Sequence, residues 1–297
     1  MESFQKRDRV LDEIQEKVEQ EMRRAEHPER RAGAPGPARA THVTASPPTS
    51  TATATAFREL GLIEPLVAAL TEQECFVPTP MQAQLIPSLL RGRDLLGCMR
   101  TDAGKTAIIV LPILQRLSQP EPRVPSRSPR ALVLVATRER AVQVVERFVT
   151  FGRHLRPTVA AIHGGVGQGL QVQALARGVD LLVATPARLL DLMIQRHARL
   201  DRLEVVVLDE VDQMLDLGFL PMVRRLLATM PKRRQTLLFS ATMPPTITSF
   251  AEGILRQPVK VSTPSASTMR ARMSATHLLK RGAGRERRAT PLSVVTQ

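Results

Sequence analysis

Short apolar runs recur along the chain between about residues 57 and 261, and segments with apolar residues at helical spacing separate them. The runs are RDLLGCM, ALVLVAT, TVAAIHG, DLLVAT, VVVLDE and TLLFSAT. Strands that are apolar at nearly every position are buried on both faces of a sheet, as in parallel sheets that helices cover. The pattern therefore predicts an α/β domain with a parallel sheet and helices on both faces, forming one folded domain over residues 57–261.

The segments that flank this domain have different patterns. Residues 1–31 carry apolar positions at helical spacing among charges of both signs, which predicts a charged amphipathic helix that either binds a partner chain or is a loosely held extension. Those positions are Phe4, Leu11, Ile14, Val18, Met22 and Ala25. Residues 32–56 are rich in Ala, Pro, Ser and Thr and predict a disordered linker. Residues 262–297 form a basic tail that resembles a linker.

The charge of the chain favours nucleic acid as its first partner. The formal net charge is +14, the isoelectric point is about 11.2, and most of the 42 basic residues are Arg. An arginine-rich codon usage is the alternative source of this excess. The chain has eight Phe and no Trp or Tyr, and we interpret Phe148, Phe219, Phe239 and Phe250 as core residues, so it lacks the aromatic platforms on which base-reading modules stack nucleotides. Binding to the phosphate backbone, without reading of base sequence, is the expectation.

Cysteine usage argues against a disulfide framework or a zinc site. Cys75 and Cys98 are the two cysteines of the sequence, and they form no C-x-x-C pair.

No apolar run approaches 18 residues, and the first ten residues carry charges where a signal peptide needs an apolar core. These features predict a cytoplasmic protein without a membrane span.

A basic motif and an acidic motif, each at the end of a strand, together predict a nucleotide site. The sequence GKT follows the run RDLLGCM and opens a helix, whose free N–H groups favour phosphate. Lys105 is then placed to reach the β and γ phosphates, and Thr106 to bind Mg²⁺. About a hundred residues on, VVVLDEVD ends another strand, where Asp209 is placed to hold Mg²⁺ through its water shell and Glu210 to orient or deprotonate the attacking water.

The motifs from Phe57 to about Val261 resemble, in order and spacing, the N-terminal RecA-like domain of DEAD-box ATP-dependent RNA helicases. They are most similar to the bacterial RhlE type. The matching stretches are FRELGL, PTPMQ, GKT, ATRERA, HGG, TPARLLDL, LDEVDQMLDLGF and SAT. The resemblance implies a RecA-like parallel sheet and an RNA-dependent ATPase, a hydrolase that acts on ATP, with Mg²⁺ as the metal ion and RNA as the partner.

The same resemblance implies roles for further residues. Gln82 matches the glutamine that reads the adenine edge, and residues Thr101, Asp102, Ala103, Gly104, Lys105 and Thr106 match the phosphate loop. The residues that match motifs along the RNA backbone path are Thr137, Arg138, Glu139, Gly164, Gly165, Thr185, Pro186 and Arg188. Ser240 and Thr242 match the motif that couples hydrolysis to strand separation.

Several positions depart from the family pattern. Asp102 stands where the phosphate loop has a glycine, and a carboxylate about 4 Å from a phosphate charge is repelled by roughly 4 kcal/mol at an effective dielectric of about 20. Cys75 stands where an aromatic residue packs on adenine. Arg140 stands where the family pattern has Leu, Ala136 where it has Pro, and Ala187 where it has Gly. We interpret these three substitutions as milder changes near the RNA path.

Three functions remain open at the level of sequence. The first is a DEAD-box enzyme that binds ATP and RNA; nothing after Ser262 resembles the second RecA-like domain, so we expect this chain not to unwind RNA by itself. The second is a non-catalytic RNA-binding or regulatory module with a degenerate nucleotide site, marked by Asp102 and Cys75. The third is an ATPase or DNA-remodelling protein of another helicase family, which the PTPMQ motif disfavours.

Overall fold

A computed structural model of the chain describes residues 56–99, 104–119 and 128–262. The predicted helix of residues 1–31 lies outside these ranges, as do all but the last residue of the predicted linker and all but the first residue of the basic tail. Three predicted residues of the phosphate loop, Thr101, Asp102 and Ala103, also lie outside them.

Helices and strands alternate along the described residues. In chain order they are α1 (Glu64–Glu72), α2 (Pro80–Leu90), β1 (Leu95–Cys98), α3 (Lys105–Leu117), β2 (Ala131–Leu134), α4 (Arg138–Phe151), β3 (Val159–Ile162), α5 (Gln168–Arg177), β4 (Leu181–Ala184), α6 (Pro186–Ile194), β5 (Val205–Leu208), α7 (Val211–Asp216), α8 (Leu220–Ala228), β6 (Gln235–Ser240), α9 (Pro245–Ile254) and β7 (Val259–Ser262). Six of the strands fall on the six apolar runs of the sequence.

The strands form one seven-stranded sheet in the order β3-β4-β2-β5-β6-β1-β7. Neighbouring strands from β3 through β1 are paired in parallel. Every residue of β2, β3, β4, β5 and β6 is buried, as expected for strands covered on both faces. The predicted parallel sheet with helices on both faces is confirmed, and it is consistent with a RecA-like domain.

Alternate residues of the strands enter two separate cores, one on each face of the sheet. Val133 of β2 packs in the core that also contains Leu85 of α2 and Phe148 of α4. Its neighbour Leu132 packs in the core on the other face, with Phe250 of α9. Because the side-chain period of a strand is two residues, this division fixes the register of each strand in the sheet.

A buried carboxylate ties the start of β1 to the end of the described chain. Asp94 is 5% exposed, and its two oxygens accept hydrogen bonds from the backbone N–H groups of Thr236 (2.8 Å) and Arg256 (2.7 Å). Its own carbonyl accepts from the N–H of Val259 at the start of β7 (2.8 Å). The loop before β1 is thereby joined to β6 and to the segment that leads into β7.

None of the helices in the part of the chain that the structure describes has both the length and the apolar character needed to cross a bilayer.

Candidate active site

The helix that GKT opens begins at the carboxyl end of β1, and its first residue is Lys105. Gly104 precedes it with φ of +87°, a left-handed conformation that favours glycine. The Gln82 side chain lies beside this turn: its Nε2 donates to the Gly104 carbonyl (3.3 Å), and its Oε1 accepts from the Thr79 N–H (2.9 Å). In this arrangement the Gln82 amide caps α2 and joins it to the phosphate helix, a role that the motif comparison did not predict.

Lys105 and Asp209 lie next to each other at the carboxyl edge of the sheet, as their positions after β1 and β5 predict. The Lys105 Nζ is 3.0 Å from the Asp209 Oδ1. The Lys105 side chain is 6% exposed and that of Asp209 is fully buried. A buried ion pair needs close geometry and additional hydrogen bonds to offset the loss of hydration. Asp209 obtains these from a second cation.

That second cation is Arg140, in the first turn of α4. Its Nη2 and Nε donate to the Asp209 Oδ2 at 2.8 and 2.9 Å, and its Nε is 3.6 Å from the Glu210 Oε1. The Arg140 side chain is 8% exposed. The interpretation of Arg140 as a mild change near the RNA path is therefore wrong, because β2 and β5 are neighbours and place the start of α4 beside the acidic pair.

Glu210 occupies an unusual backbone position directly after Asp209. Its φ and ψ are 57° and 52°, in the left-handed region, where a non-glycine residue is under strain. Such strain persists only where the surrounding structure holds the residue in place. Glu210 is partly exposed, so its carboxylate can reach a bound molecule at this edge, whereas that of Asp209 is buried.

The donor set of this site suits Mg²⁺ in type but not in arrangement. Mg²⁺ prefers oxygen ligands, and the Thr106 hydroxyl with the Asp209 and Glu210 carboxylates supplies them. Both Asp209 oxygens, however, already face cationic nitrogens at 3.0 and 2.8 Å. Within residues 56–99, 104–119 and 128–262, moreover, no three His, Cys, Asp or Glu side chains cluster in a way that could hold a metal ion. The residues in this arrangement do not fit a metal ion bound directly to the Asp209 carboxylate, whereas binding through the water shell of the metal ion stays a prediction from the sequence.

Asp212 links the acidic motif to the SAT motif. Its Oδ2 accepts hydrogen bonds from the N–H groups of Ala241 (3.1 Å) and Thr242 (3.2 Å), and from the Thr242 hydroxyl (3.4 Å). The Ser240 hydroxyl donates to the Thr242 carbonyl (2.6 Å). Ser240 and Thr242 were predicted from sequence, whereas Asp212 was missed, although its place as the last residue of DEVD was a signal for it.

Four of the eight residues predicted along the RNA path, Arg138, Gly164, Thr185 and Arg188, line one cavity. The cavity has a volume of about 500 Å³ and is lined by Ala136, Arg138, Gly164, Thr185, Ala187, Arg188, Asp191 and Phe219. It thus brings together residues that follow β2, β3 and β4. Gly165 has φ of +83°, and a Cβ there would lie 3.3 Å from the Arg138 Nη1. Thr137 instead caps α4, since its hydroxyl accepts from the Arg140 N–H (3.2 Å).

Two further side chains, His163 and Cys75, are uncharged at neutral pH for a common reason, their burial. Desolvation lowers the pKa of His163, whose Nδ1 lies 3.0 Å from the Gly164 carbonyl oxygen. Burial raises the pKa of the Cys75 thiol, which packs against the core under α1 and α2. Cys75 is therefore a neutral thiol, not a reactive thiolate.

A parallel sheet that carries a GKT helix start and an acidic pair at one edge is typical of nucleoside-triphosphate-binding domains of the RecA-like class. A model of the DEAD/DEAH box helicase family matches residues 79–250, which is more than half of the 297 residues. The chain belongs to the DEAD/DEAH box helicase family.

Several helicases are similar to the chain in sequence. The ATP-dependent RNA helicase DeaD of Escherichia coli (strain K12) is 41% identical over 224 residues, which cover 75% of this chain and 35% of DeaD. The DEAD-box ATP-dependent RNA helicase CshA of Bacillus cereus is 39% identical over 204 residues, covering 69% of this chain and 38% of CshA. The DEAD-box ATP-dependent RNA helicase 20 of Oryza sativa is 39% identical over 205 residues, which cover 69% of this chain and 42% of the rice protein. The chain spans less than half the length of these relatives.

Proposed function

We propose that residues 57–261 are the ATP-binding and RNA-contacting domain of a DEAD-box RNA helicase. The observation that supports this most strongly is the contact of Lys105 with Asp209, at 3.0 Å, where two motifs about a hundred residues apart meet at one sheet edge. Family membership implies the use of ATP, in general with Mg²⁺, and binding to RNA. The finer likeness to the RhlE type stays a prediction from the sequence, as do a cytoplasmic location and a partner for residues 1–31.

The chemistry that these residues perform follows from their positions. Lys105, at the start of α3, lies where a phosphate group would meet the free N–H groups of the helix, so its ammonium group neutralises phosphate charge. Glu210 is the partly exposed carboxylate of the acidic pair and is suited to orient the water that attacks the terminal phosphate. The Asp212 carboxylate, two residues after Glu210, accepts hydrogen bonds from Ala241 and Thr242 and so joins the acidic motif to the SAT segment.

A matched pair of lysine variants tests the nucleotide site. We expect Lys105→Ala to weaken binding of a fluorescent ATP analogue at least about tenfold, because one charge at contact distance from a phosphate is removed. Lys232→Ala, at an exposed lysine after α8, should leave the affinity unchanged. Titration of the wild type and both variants, with circular dichroism to confirm folding, measures this. Equal affinities for Lys105→Ala and the wild type would contradict the proposed site.

The engagement of Asp209 by Arg140 favours one alternative, a non-catalytic RNA-binding module with a degenerate nucleotide site. In that case the wild type should bind RNA but show no saturable binding of the ATP analogue. The same titration therefore decides between the two functions.

RNA binding should depend on salt and not on base sequence. Arg138 and Arg188 line the cavity, and each contact with a phosphate of a single strand contributes about −0.7 to the slope of log affinity against log salt. Two contacts predict a negative slope with a magnitude of about 1.4 or more, which corresponds to about sevenfold weaker binding for a fourfold rise in salt concentration.

Fluorescence anisotropy with labelled single-stranded RNA over a salt series measures this slope. Arg188→Gln should reduce its magnitude by about 0.7, whereas Arg177→Gln, at an exposed arginine at the end of α5, should not reduce it. A slope near zero, or a strong preference for one base sequence, would contradict the proposed backbone contacts.

A further inference from the structure

We propose that the guanidinium of Arg140 acts as a built-in cation at the acidic pair and makes nucleotide binding by this chain largely independent of a divalent metal ion. The proposal rests on the nucleotide site proposed above and adds a residue that no motif assigns to it. It follows from the contacts of Arg140 with Asp209 at 2.8 and 2.9 Å and from its 3.6 Å approach to Glu210.

The charges at this edge of the sheet explain why. Asp209 and Glu210 contribute two negative charges, and Lys105 and Arg140 contribute two positive charges. The formal net charge of these four side chains in the folded protein is therefore zero. With the leucine of the family pattern in place of Arg140, the same cluster would carry one net negative charge. A nucleoside triphosphate would then need a divalent cation to approach the acidic pair without repulsion. Arg140 supplies positive charge at that point in advance.

Burial makes this cation a fixed part of the site. The side chains of Arg140 and Asp209 are 8% and 0% exposed, so their interaction is screened little by solvent. The Arg140 backbone is fixed as well, because its N–H donates to the capping hydroxyl of Thr137. Arginine stays charged at any physiological pH, so the pair does not open by deprotonation. A metal ion at the Asp209 Oδ2 would have to displace two hydrogen bonds from one guanidinium.

The two carboxylates of the acidic pair differ in their contacts and in their exposure. Both oxygens of Asp209 face a cation, with the Lys105 Nζ 3.0 Å from Oδ1 and the Arg140 Nη2 2.8 Å from Oδ2, whereas the Glu210 carboxylate stays partly exposed. The chain thus keeps a phosphate-binding lysine and an accessible carboxylate, whereas a metal ion at Asp209 would have to compete with Lys105 and Arg140 for the carboxylate oxygens. Binding of nucleotide and binding of metal are expected to be uncoupled.

Variants of Arg140 that differ in charge test this directly. Arg140→Gln removes the charge but keeps a hydrogen-bond donor for Asp209, and Arg140→Lys keeps the charge; Arg147→Gln, at an exposed position of α4, is the matched control. A fluorescent ADP analogue is titrated into each protein in excess Mg²⁺ and in EDTA. We expect the two affinities to differ by less than about threefold in the wild type, Arg140→Lys and Arg147→Gln, and by more than about tenfold in Arg140→Gln.

A second readout does not involve nucleotide. Electron paramagnetic resonance measures Mn²⁺ binding to the nucleotide-free proteins, and we expect Arg140→Gln to bind Mn²⁺ at least about tenfold more tightly than the wild type and Arg140→Lys. If no protein binds the ADP analogue in either buffer, the proposed nucleotide site fails, and the Mn²⁺ comparison still decides the role of Arg140. A wild type that needs Mg²⁺ as strongly as Arg140→Gln, or equal Mn²⁺ affinities throughout, overturns the inference.

Discussion

Replacing Asp209 with Asn is expected to lower the free energy of unfolding by about 3 to 5 kcal/mol, because it leaves two buried cations without their shared counter-ion. Lys105 and Arg140 are 6% and 8% exposed at their side chains, so water replaces the lost carboxylate poorly. Urea denaturation of the wild type and the variant measures the difference. Asp216→Asn, at an exposed carboxylate at the end of α7, is the control and should stay within about 0.5 kcal/mol of the wild type.

A double variant shows whether the cost arises from the unpaired cations. Arg140→Leu removes one of them, so in the Asp209→Asn background it should recover at least about 1 kcal/mol, although each change alone destabilises the protein. Simple addition of the two single effects would mean that Arg140 and Asp209 do not depend on each other. Such a result would contradict the close contact between their side chains.

Changing Asp102 to Gly is expected to strengthen binding of an ATP analogue by more than tenfold, and by up to about three decades. Two effects of the same sign contribute: a carboxylate that phosphate groups repel is removed, and the loop regains the backbone freedom of glycine. Asp102 lies outside the described residues, but Gly104 nearby already adopts a left-handed conformation with φ of +87°.

The Asp102→Asn variant separates these two effects. It removes the charge while retaining the side chain, so it should give most of the gain if repulsion dominates and little if backbone strain dominates. Titration with the same fluorescent analogue, at constant salt, compares the three proteins. Equal affinities for the wild type and Asp102→Gly would mean that the carboxylate points away from the phosphates.

The strands of the sheet could be predicted from sequence because four of them, β2 to β5, are apolar throughout, which is itself the consequence of burial on both faces. The meeting of Lys105 and Asp209 could also be predicted, since each follows a strand and the carboxyl ends of parallel strands share one edge. β7 was not predicted. It is a sheet-edge strand whose residues are alternately partly buried and exposed, so it has no apolar run.

The role of Arg140 could not be predicted from its motif. Its partner Asp209 is 69 positions away along the chain, and the two meet because β2 pairs with β5. The order of strands in a sheet depends on tertiary packing and is not encoded in any local pattern of apolar residues. The contact of the Gln82 amide with Gly104 was missed as well, because it depends on how α2 packs against the start of α3.

The position of β1 in the sheet has a consequence for how the chain folds as it leaves the ribosome. Among the strands of the described residues β1 is made first, yet its neighbours in the sheet are β6 and β7, which are made last. Asp94 and its partner Thr236 are 142 positions apart. Loop closure over such a distance slows folding, and until it occurs an apolar strand has no partner. We therefore expect a nascent chain that ends before residue 235 to hold β1 unpaired and to depend on chaperones for protection from aggregation.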